Sequence, residues 1–493
     1  MKSRSLMALT ASVAALGLAA EAPAQRASAI SQRDASQAAQ QHPELVQQFG
    51  GAESGARAAY VASVGRKIAA QSGVPNGAGA FTVTTLNSPV VNAFAVPGGY
   101  VYITRQLLGL MNDEAELASV LGHEVGHIAA RHSQARQSAA RRNSIGGLLG
   151  AVLGSVIGNN PFGNLVEQLA PQLAAGATAS FSRNQEHQAD DLGIRYMTSA
   201  GYDPAASASL LASLGAVESL NARAAGRDDR RTIPSWAQTH PLSAERVRRS
   251  TQQAQATGAV GRGVRNRDQF LAAVDGLLVD DDPRQGIVEG RDFRHPDLRL
   301  AFTVPQGYTM QNGTRTVSVV GSDGQAQFST AQFNGDLDSY IAAAFQSIAG
   351  QQSGRLQIPQ PRRTTVNGIP AAYTTARAST QQGQVDVSVF AYQWDSNTAY
   401  HFATITRGGS GIGPFSSMVG SLRRLTAREA AAIRPRVIDV VTVRQGDTVQ
   451  SLASRMAYSD LKLERFLTLN SLQANSRLRP GDKVKLVVYG NRS

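Results

Sequence analysis

The chain has 493 residues, no cysteine and a formal net charge of +12, and only five of its 48 basic residues are lysine. The lack of cysteine excludes disulfides and lipid attachment through a thiol, and the length is sufficient for two or three separate cores. The positive charge could attract an anionic polymer or a membrane surface, but salt weakens that effect.

The first 24 residues are predicted to be a cleaved secretory signal peptide. Lys2 and Arg4 precede an apolar run from Leu6 to Ala20, and the small residues of the segment 22–24 form a cleavage site. An apolar run of about 15 residues is too short to span a bilayer as a helix, which takes about 20. We therefore expect an exported protein, with no nucleic acid among its partners.

The next 250 or so residues are predicted to be mostly helical, with a small sheet near the beginning. Segments rich in β-branched and aromatic residues predict strands at 81–87 and 99–105. Helical patterns cover 31–72, 112–142, 164–199, 204–220, 242–256 and 266–277. We assign residues 25–278 to this first domain.

Two breaks in composition divide the rest of the chain. A polar linker with glycine and proline at 279–290 precedes an α+β domain at 291–428, in which strand patterns surround one helix at 337–350. The ends of this domain resemble Mog/PsbP-like domains, and we expect it to be a platform for a partner or substrate. A compact β–α–α–β unit follows at 438–489. The expected fold class is therefore multidomain α+β.

The segment LGHEVGHIAARHS, residues 121–133, contains the pattern HExxH. On a helix, a spacing of four residues places His123 and His127 on one face, where both can bind one metal ion, with Glu124 beside it. A catalytic zinc ion usually takes three protein ligands and keeps one open position. The pattern therefore requires a third ligand elsewhere in the chain.

The third ligand is predicted to be Glu186. Up to residue 190, the remaining groups that could bind zinc are His132, Glu167, Glu186, His187 and Asp190. His132 lies five residues after His127, about 140° round the helix, so we expect it to face away from the metal. Glu186 and Asp190 lie on one helical face, where Glu186 can bind the ion and Asp190 can accept the second N–H of a ligand histidine.

HExxH followed by ExxxD, together with NAFAVPGGYVYITRQLL and EAELASVLGHEVGHIAARHS, resembles the HtpX/Oma-type zinc metalloendopeptidases, over residues 40–260. The nearest type is the periplasmic, BepA-like one. The resemblance implies a mainly helical gluzincin-type domain with one Zn²⁺ per chain. It also implies that His123, His127 and Glu186 are the ligands and that Glu124 is the general base. The C-terminal half departs from that type.

The resemblance includes an HP dipeptide, matched here by His240 and Pro241. His240 is expected at a helix entrance, because proline is favoured in the first turn of a helix. One hypothesis makes His240 a latch, whose neutral imidazole takes the open coordination position. The other makes His240 or Arg246 a donor to the oxyanion of the transition state.

Two segments have a second interpretation besides a structural one. Asn92, Ala93, Phe94 and Ala95 are predicted to offer a free strand edge to a peptide substrate, the alternative being an ordinary turn. Glycines at four-residue intervals in 144–158 give a smooth helical face, which suggests either a flap over the cleft or, alternatively, membrane contact without a span or self-association.

Residues 440–488 resemble a LysM module, on the strength of VRQGDTVQSLA, LNSL and LRPGDKVKLV. The resemblance implies binding of N-acetylglucosamine chains, and hence of peptidoglycan, by loops at 446–448 and 470–474. Docking to protein, or a purely structural role, remains the alternative.

These features together predict a periplasmic zinc endopeptidase that cleaves misfolded or misassembled envelope proteins. The competing hypothesis is a non-enzymatic envelope chaperone or peptidoglycan-associated scaffold that keeps a zinc site for stability. An intact Glu124 favours the enzyme, because a structural site has no need of a general base.

Overall fold

The computed structural model describes residues 27–133, 181–224, 240, 243–349, 357–380 and 383–491. The predicted signal peptide at 1–24 and the glycine-spaced segment at 144–158 lie outside the described residues. The described parts form a multidomain α+β structure. Among them, none of the helices is both long and apolar enough to cross a membrane.

The first unit consists of helices packed against a three-stranded sheet. Its elements are α1 Gln32–Gln48, α2 Gly55–Ala69, α3 Gly77–Ala80, β1 Thr82–Leu86, β2 Ala93–Val96, β3 Tyr100–Thr104, α4 Arg105–Leu110, α5 Glu114–Ala129, α6 Arg183–Ser199, α7 Ala205–Ala224, α8 Ala244–Ala256 and α9 Arg267–Val274. The order in the sheet is β1-β3-β2, with β1 parallel and β2 antiparallel to β3. Strand β2 therefore lies at an edge.

The turn from β2 to β3 requires glycine at two positions. Gly98 and Gly99 have φ values of 107° and 91°, a region that is open to glycine and strained for other residues. A Cβ atom on Gly98 would also lie 2.4 Å from the carbonyl oxygen of Asp34, and one on Gly99 would lie 2.1 Å from that of Ala80. The turn is thus packed against α1 and α3, and this packing holds the end of β2 in place.

Helix α5 is the central helix of this unit. Its N-cap, Asp113, accepts a hydrogen bond from the backbone N–H of Glu116, and every residue from Glu114 to His127 is buried. The helix ends at Ala129, whereas the sequence pattern predicts a helix over 112–142. The chain leaves the helix at Arg131, which adopts a left-handed conformation with φ 55°.

The middle unit is built in three layers. Its elements are β5 Ile287–Glu289, β6 Asp292–His295, β7 Leu300–Thr303, β8 Thr309–Asn312, β9 Val317–Gly321, β10 Gly324–Thr330, α10 Leu337–Ala349, β11 Arg362–Val366, β12 Ile369–Thr380, β13 Gly383–Gln393, β14 Ala399–Arg407, α11 Ser416–Ser421, β15 Arg423–Arg424 and α12 Ala427–Ala432. A seven-stranded antiparallel sheet, β11-β12-β13-β14-β10-β9-β8, packs α10 on one face and the four-stranded sheet β15-β7-β6-β5 on the other.

The C-terminal unit is not separate from the first one. Its elements are β16 Arg436–Thr442, α13 Val449–Ser454, α14 Lys462–Leu469 and β17 Lys483–Tyr489. A short strand before the middle unit, β4 Leu278–Val279, pairs with β16, and Val279 lies opposite Arg436. The chain therefore enters and leaves the middle unit at neighbouring positions of one sheet, β17-β16-β4.

The first and C-terminal units also share one hydrophobic core, in contrast to the separate cores expected from length. Leu108 and Phe270 belong to the same buried cluster as Phe466 and Leu486. The fully buried Lys485 donates through Nζ to the carbonyl oxygens of Gly109, at 2.8 Å, and Met111, at 2.5 Å. These carbonyls lie at the end of α4, so Lys485 satisfies groups that the helix leaves unpaired.

Candidate metal centre

Helices α5 and α6 cross at glycines, which lets the two backbones approach closely. A Cβ atom on Gly193 would lie 2.9 Å from the backbone nitrogen of His123, and one on Gly122 would lie 3.1 Å from Gly193. Helix α6 begins at a capping box, in which Ser182 and Gln185 bind each other's backbone N–H. The crossing brings Glu186 of α6 against the histidines of α5.

Four buried side chains point atoms that could bind a metal ion towards one another. They are His123, His127, Glu186 and His240, whose donor atoms all lie within 4.8 Å. The Nε2 atoms of His123 and His127 are 3.0 Å apart, and Nδ1 of His240 lies 3.1 Å from Nε2 of His123 and 3.0 Å from Oε1 of Glu186. Zn–N bonds of 2.0–2.1 Å place the ligands of a tetrahedral zinc about 3.3 Å apart, so these spacings fit zinc.

The charge of the cluster also fits a divalent cation. It contains three buried carboxylates, those of Glu124, Glu186 and Asp190, and one guanidinium, that of Arg246. When all three carboxylates are ionised, two negative charges remain in a place that water does not reach, and such charges need a partner. A bound zinc ion would neutralise them.

Asp190 and Arg246 contact the side chains of the cluster on the side that faces away from its centre. Oδ1 of Asp190 lies 2.9 Å from Nδ1 of His123. Arg246 donates to both carboxylate oxygens of Asp190 at 2.7 Å and lies 3.0 Å from Oε2 of Glu186. The contact with Asp190 leaves Nε2 of His123 facing the centre of the cluster, as a metal ligand requires.

Neighbouring side chains decide the ionisation of the two carboxylates on α6. Burial by itself raises the pKa of Glu186, but the electrostatic interaction with His240 and the close contacts with the rings of His127 and His240 hold that pKa well below its ordinary value. Burial likewise opposes ionisation of Asp190, and the hydrogen bonds and charge of Arg246 lower the pKa of Asp190 below its usual range. Both groups are therefore anionic at neutral pH.

Glu124 differs from these two carboxylates, because neither of its oxygens has a hydrogen-bond partner among the described residues. The side chain is completely buried, and its Oε1 lies 3.6 Å from Nε2 of His240. Burial raises the pKa of Glu124. A buried carboxylate beside a metal cluster, with no partner of its own among the described side chains, is placed to exchange a proton with a water or substrate group.

The structure leaves His132 outside the four-donor cluster, on the side of His127 that faces away from it, but in contact with the His127 ring. Nδ1 of His132 lies 2.9 Å from Nδ1 of His127, and Nε2 of His132 lies 3.0 Å from Oε1 of Gln188 on α6. The contact with His127 does not follow from the 140° helical angle, because α5 ends before His132 and Arg131 adopts a left-handed conformation. No glycine marks this turn in the sequence, so nothing there signals it.

The predicted substrate segment contains the edge strand β2, which packs against α5. The N–H of Thr104 donates to the carbonyl of Asn92, so in this antiparallel pair Phe94 also bonds to β3. The backbone groups of Ala93 and Ala95 therefore point away from β3, where no described residue bonds to them; Ala93 is buried and Ala95 is partly exposed. The buried Asn92 has a side-chain oxygen without a hydrogen-bond partner in the described part of the chain.

Comparisons with known proteins agree with this site. Residues 55–254 match the model of peptidase family M48, and residues 441–487 match that of the LysM domain. The mitochondrial metalloendopeptidase OMA1 of Schizosaccharomyces pombe is 32% identical over 190 residues, which cover 38% of this chain and 51% of that protein. The beta-barrel assembly-enhancing protease of Yersinia pestis is 28% identical over 167 residues, covering 33% of this chain and 32% of that protein.

This chain thus spans about half the length of the first relative and about a third of the second. The solution structure of PsbP from Synechocystis covers 28% of this chain and 98% of that chain, with a TM-score of 0.22 and 8% identity. So slight a likeness leaves the Mog/PsbP-like relationship of the middle unit a prediction. The M48 match, the named metalloendopeptidase relative and the buried cluster agree: this chain carries a domain of the zinc-dependent metallopeptidase family M48, followed near its C-terminus by a LysM domain.

Proposed function

We propose that this protein is a zinc-dependent endopeptidase of the periplasm that cleaves unfolded or misassembled envelope proteins. The observation that carries the proposal is the completely buried carboxylate of Glu124, which lies beside the four-donor cluster and has no hydrogen-bond partner among the described residues. A site that only stabilised the fold would have no reason to bury such a group, because an unsatisfied buried carboxylate costs several kcal/mol.

In this proposal, His123, His127 and Glu186 hold one zinc ion. Zinc bound there would lower the pKa of a water molecule and polarise the scissile carbonyl. Glu124 takes a proton from the attacking water at its carboxylate and passes it to the leaving amine. Asp190 keeps His123 in the tautomer that leaves its Nε2 lone pair available, and Arg246 holds Asp190 and Glu186 in position.

The substrate is proposed to bind as an added strand on the open edge of β2. The backbone groups of Ala93 and Ala95 supply the main-chain hydrogen bonds, and the side-chain oxygen of Asn92 supplies one more acceptor. Main-chain pairing selects an extended chain and little of its sequence. Such a site suits unfolded segments, which can be extended, and it rejects folded proteins, which cannot.

The periplasmic setting and the envelope substrates have separate support. The N-terminal pattern of residues 1–24 is that of a secretory signal. One group of relatives consists of proteases named for enhancing β-barrel assembly, and the LysM domain suggests contact with peptidoglycan. These three features support an activity near the cell envelope.

The proposal is tested by replacing Glu124 with Gln, which keeps the shape of the side chain and removes its basicity. We expect zinc content, measured by elemental analysis, to stay at one ion per chain, and cleavage of casein to fall by about 10²–10⁴. Cleavage by the unaltered protein should also stop on addition of a chelator. Zinc binding with cleavage that neither the chelator nor the substitution reduces would refute the mechanism, and zinc binding without any cleavage would favour the scaffold.

A further inference from the structure

We propose that His132 is a positioning residue that holds the ring of His127 in its metal-binding tautomer. This inference rests on the proposed zinc site, and it concerns only how that site is kept ready to bind. His132 is buried, with 3% of its surface exposed, and its ring reaches the face of His127 opposite to the cluster.

The inference follows from the direction of two hydrogen bonds. Oε1 of Gln188 is an acceptor, so Nε2 of His132 must carry the proton in their 3.0 Å contact. In a neutral ring, Nδ1 of His132 is then an acceptor as well. The 2.9 Å contact between the two Nδ1 atoms therefore requires His127 to be the donor there. With its proton on Nδ1, His127 has a free lone pair on Nε2, the atom that lies 3.0 Å from Nε2 of His123.

Each histidine of the HExxH pattern thus has its own support on α6. Asp190 accepts from His123 directly, while Gln188 acts on His127 through His132. Both acceptors belong to the helix that carries Glu186, so the arrangement of all three proposed ligands depends on the crossing of α5 and α6. Outer partners of this kind fix ring orientation, and their loss typically weakens metal binding by about 10–100-fold.

Two substitutions at His132 separate positioning from simple packing. Leucine fills much of the same volume but accepts no hydrogen bond, so His127 can take the other tautomer, with its proton on Nε2. Asparagine can place its side-chain oxygen near the position of Nδ1 and can accept from His127. We expect His132→Leu to weaken zinc binding about 10–100-fold, and His132→Asn to recover most of that loss.

The measurement is zinc affinity of the full-length protein, by competition with a coloured chelator, together with the melting temperature of the zinc-free form. His187→Leu is the matched control, since His187 lies on α6 next to Gln188 and its side chain makes no hydrogen bond to a described residue.

Equal zinc affinity for His132→Leu and the unaltered protein would overturn the inference. So would equal losses for leucine and asparagine, which would mean that the position is sensitive only to packing. If His132→Leu melts at a lower temperature without zinc, the zinc affinities of the asparagine and leucine variants still distinguish positioning from packing. Because affinity is measured without cleavage, the result does not depend on whether the protein is a protease.

Discussion

The ring of His240 lies between Glu186 and Glu124. Its Nδ1 atom is 3.0 Å from Oε1 of Glu186 and its Nε2 atom is 3.6 Å from Oε1 of Glu124, and the ring is 1% exposed. It therefore stands between the proposed third ligand and the proposed base. This position suits a fourth ligand, which would take the coordination site that an attacking water needs.

We accordingly expect His240→Ala to raise the basal turnover of an unfolded substrate severalfold, because it opens the fourth position. The check is a steady-state assay on a fluorescent casein, with zinc content measured in parallel. A fall of about 10²–10³ at unchanged zinc content would instead make His240 a donor to the oxyanion, and would contradict the latch.

Single residues of the site differ in how far the sequence predicts them. The positions of His123, His127, Glu186 and Asp190 follow from spacing, because a helical period converts a separation of four residues into a shared face. The contact of His132 with His127 does not follow from spacing, because it depends on where α5 ends and on the left-handed backbone of Arg131. A helix end without glycine has no reliable mark in the sequence.

At the scale of elements, β2 is the strand that we propose binds the substrate. Its bonds to β3 use one set of backbone groups, and the alternate set, on Ala93 and Ala95, points away from β3. The fold of the sheet and the capacity to bind a peptide therefore depend on different atoms of the same strand. A substitution can remove one without the other.

Replacing Ala95 with proline removes an N–H from the open edge and leaves the bonds of Phe94 to β3 in place. We expect the Michaelis constant for an unfolded substrate to rise about two- to tenfold, the value of one hydrogen bond, with zinc content unchanged. The kinetic comparison includes Ala95→Ser, which keeps the N–H and should behave as the unaltered protein. Loss of zinc in the proline variant would mean that the segment only supports the fold.

Helices and strands with a clear hydrophobic periodicity could be predicted from the sequence. The residues at which helices end, and the partners with which strands pair, could not. The strands expected at 81–87 and 99–105 are β1 and β3, within a residue at each end. The expected helix at 31–72 is interrupted at Gly50 and Gly51, both with positive φ. Strand β4 lies at the start of the expected linker and was not predicted. Two residues are too few to show a periodicity, and they are ordered by pairing with β16.

At the scale of the whole molecule, the peptidase domain and the LysM domain form one structure into which the middle unit is inserted. They share a buried cluster, the sheet β17-β16-β4 and the contacts of Lys485 with the end of α4. Removing residues 436–493 would expose apolar surface on the peptidase side and leave the carbonyls of Gly109 and Met111 without their donor.

We therefore expect truncation after Pro435 to abolish the cooperative melting of the peptidase domain and its retention of zinc, both followed by calorimetry and metal analysis. The matched control replaces residues 282–433 with a short glycine-serine linker. Val279 and Arg436 are paired neighbours, so that linker closes without strain. The control should keep zinc and one melting transition. A truncated protein that melts at the unchanged temperature would show that the two domains are independent.

The pairing of Val279 with Arg436 can form only after all the residues between them have been synthesised. At about 5–20 residues per second, the ribosome needs on the order of 10–30 s to reach the second strand after the first. Until then the nascent chain holds the HExxH segment, but its core is open and the end of α4 has no lysine to satisfy it. Chains that stop early never close this core. The peptidase domain therefore gains its complete core only after the strand that carries Lys485 and Leu486 has been made.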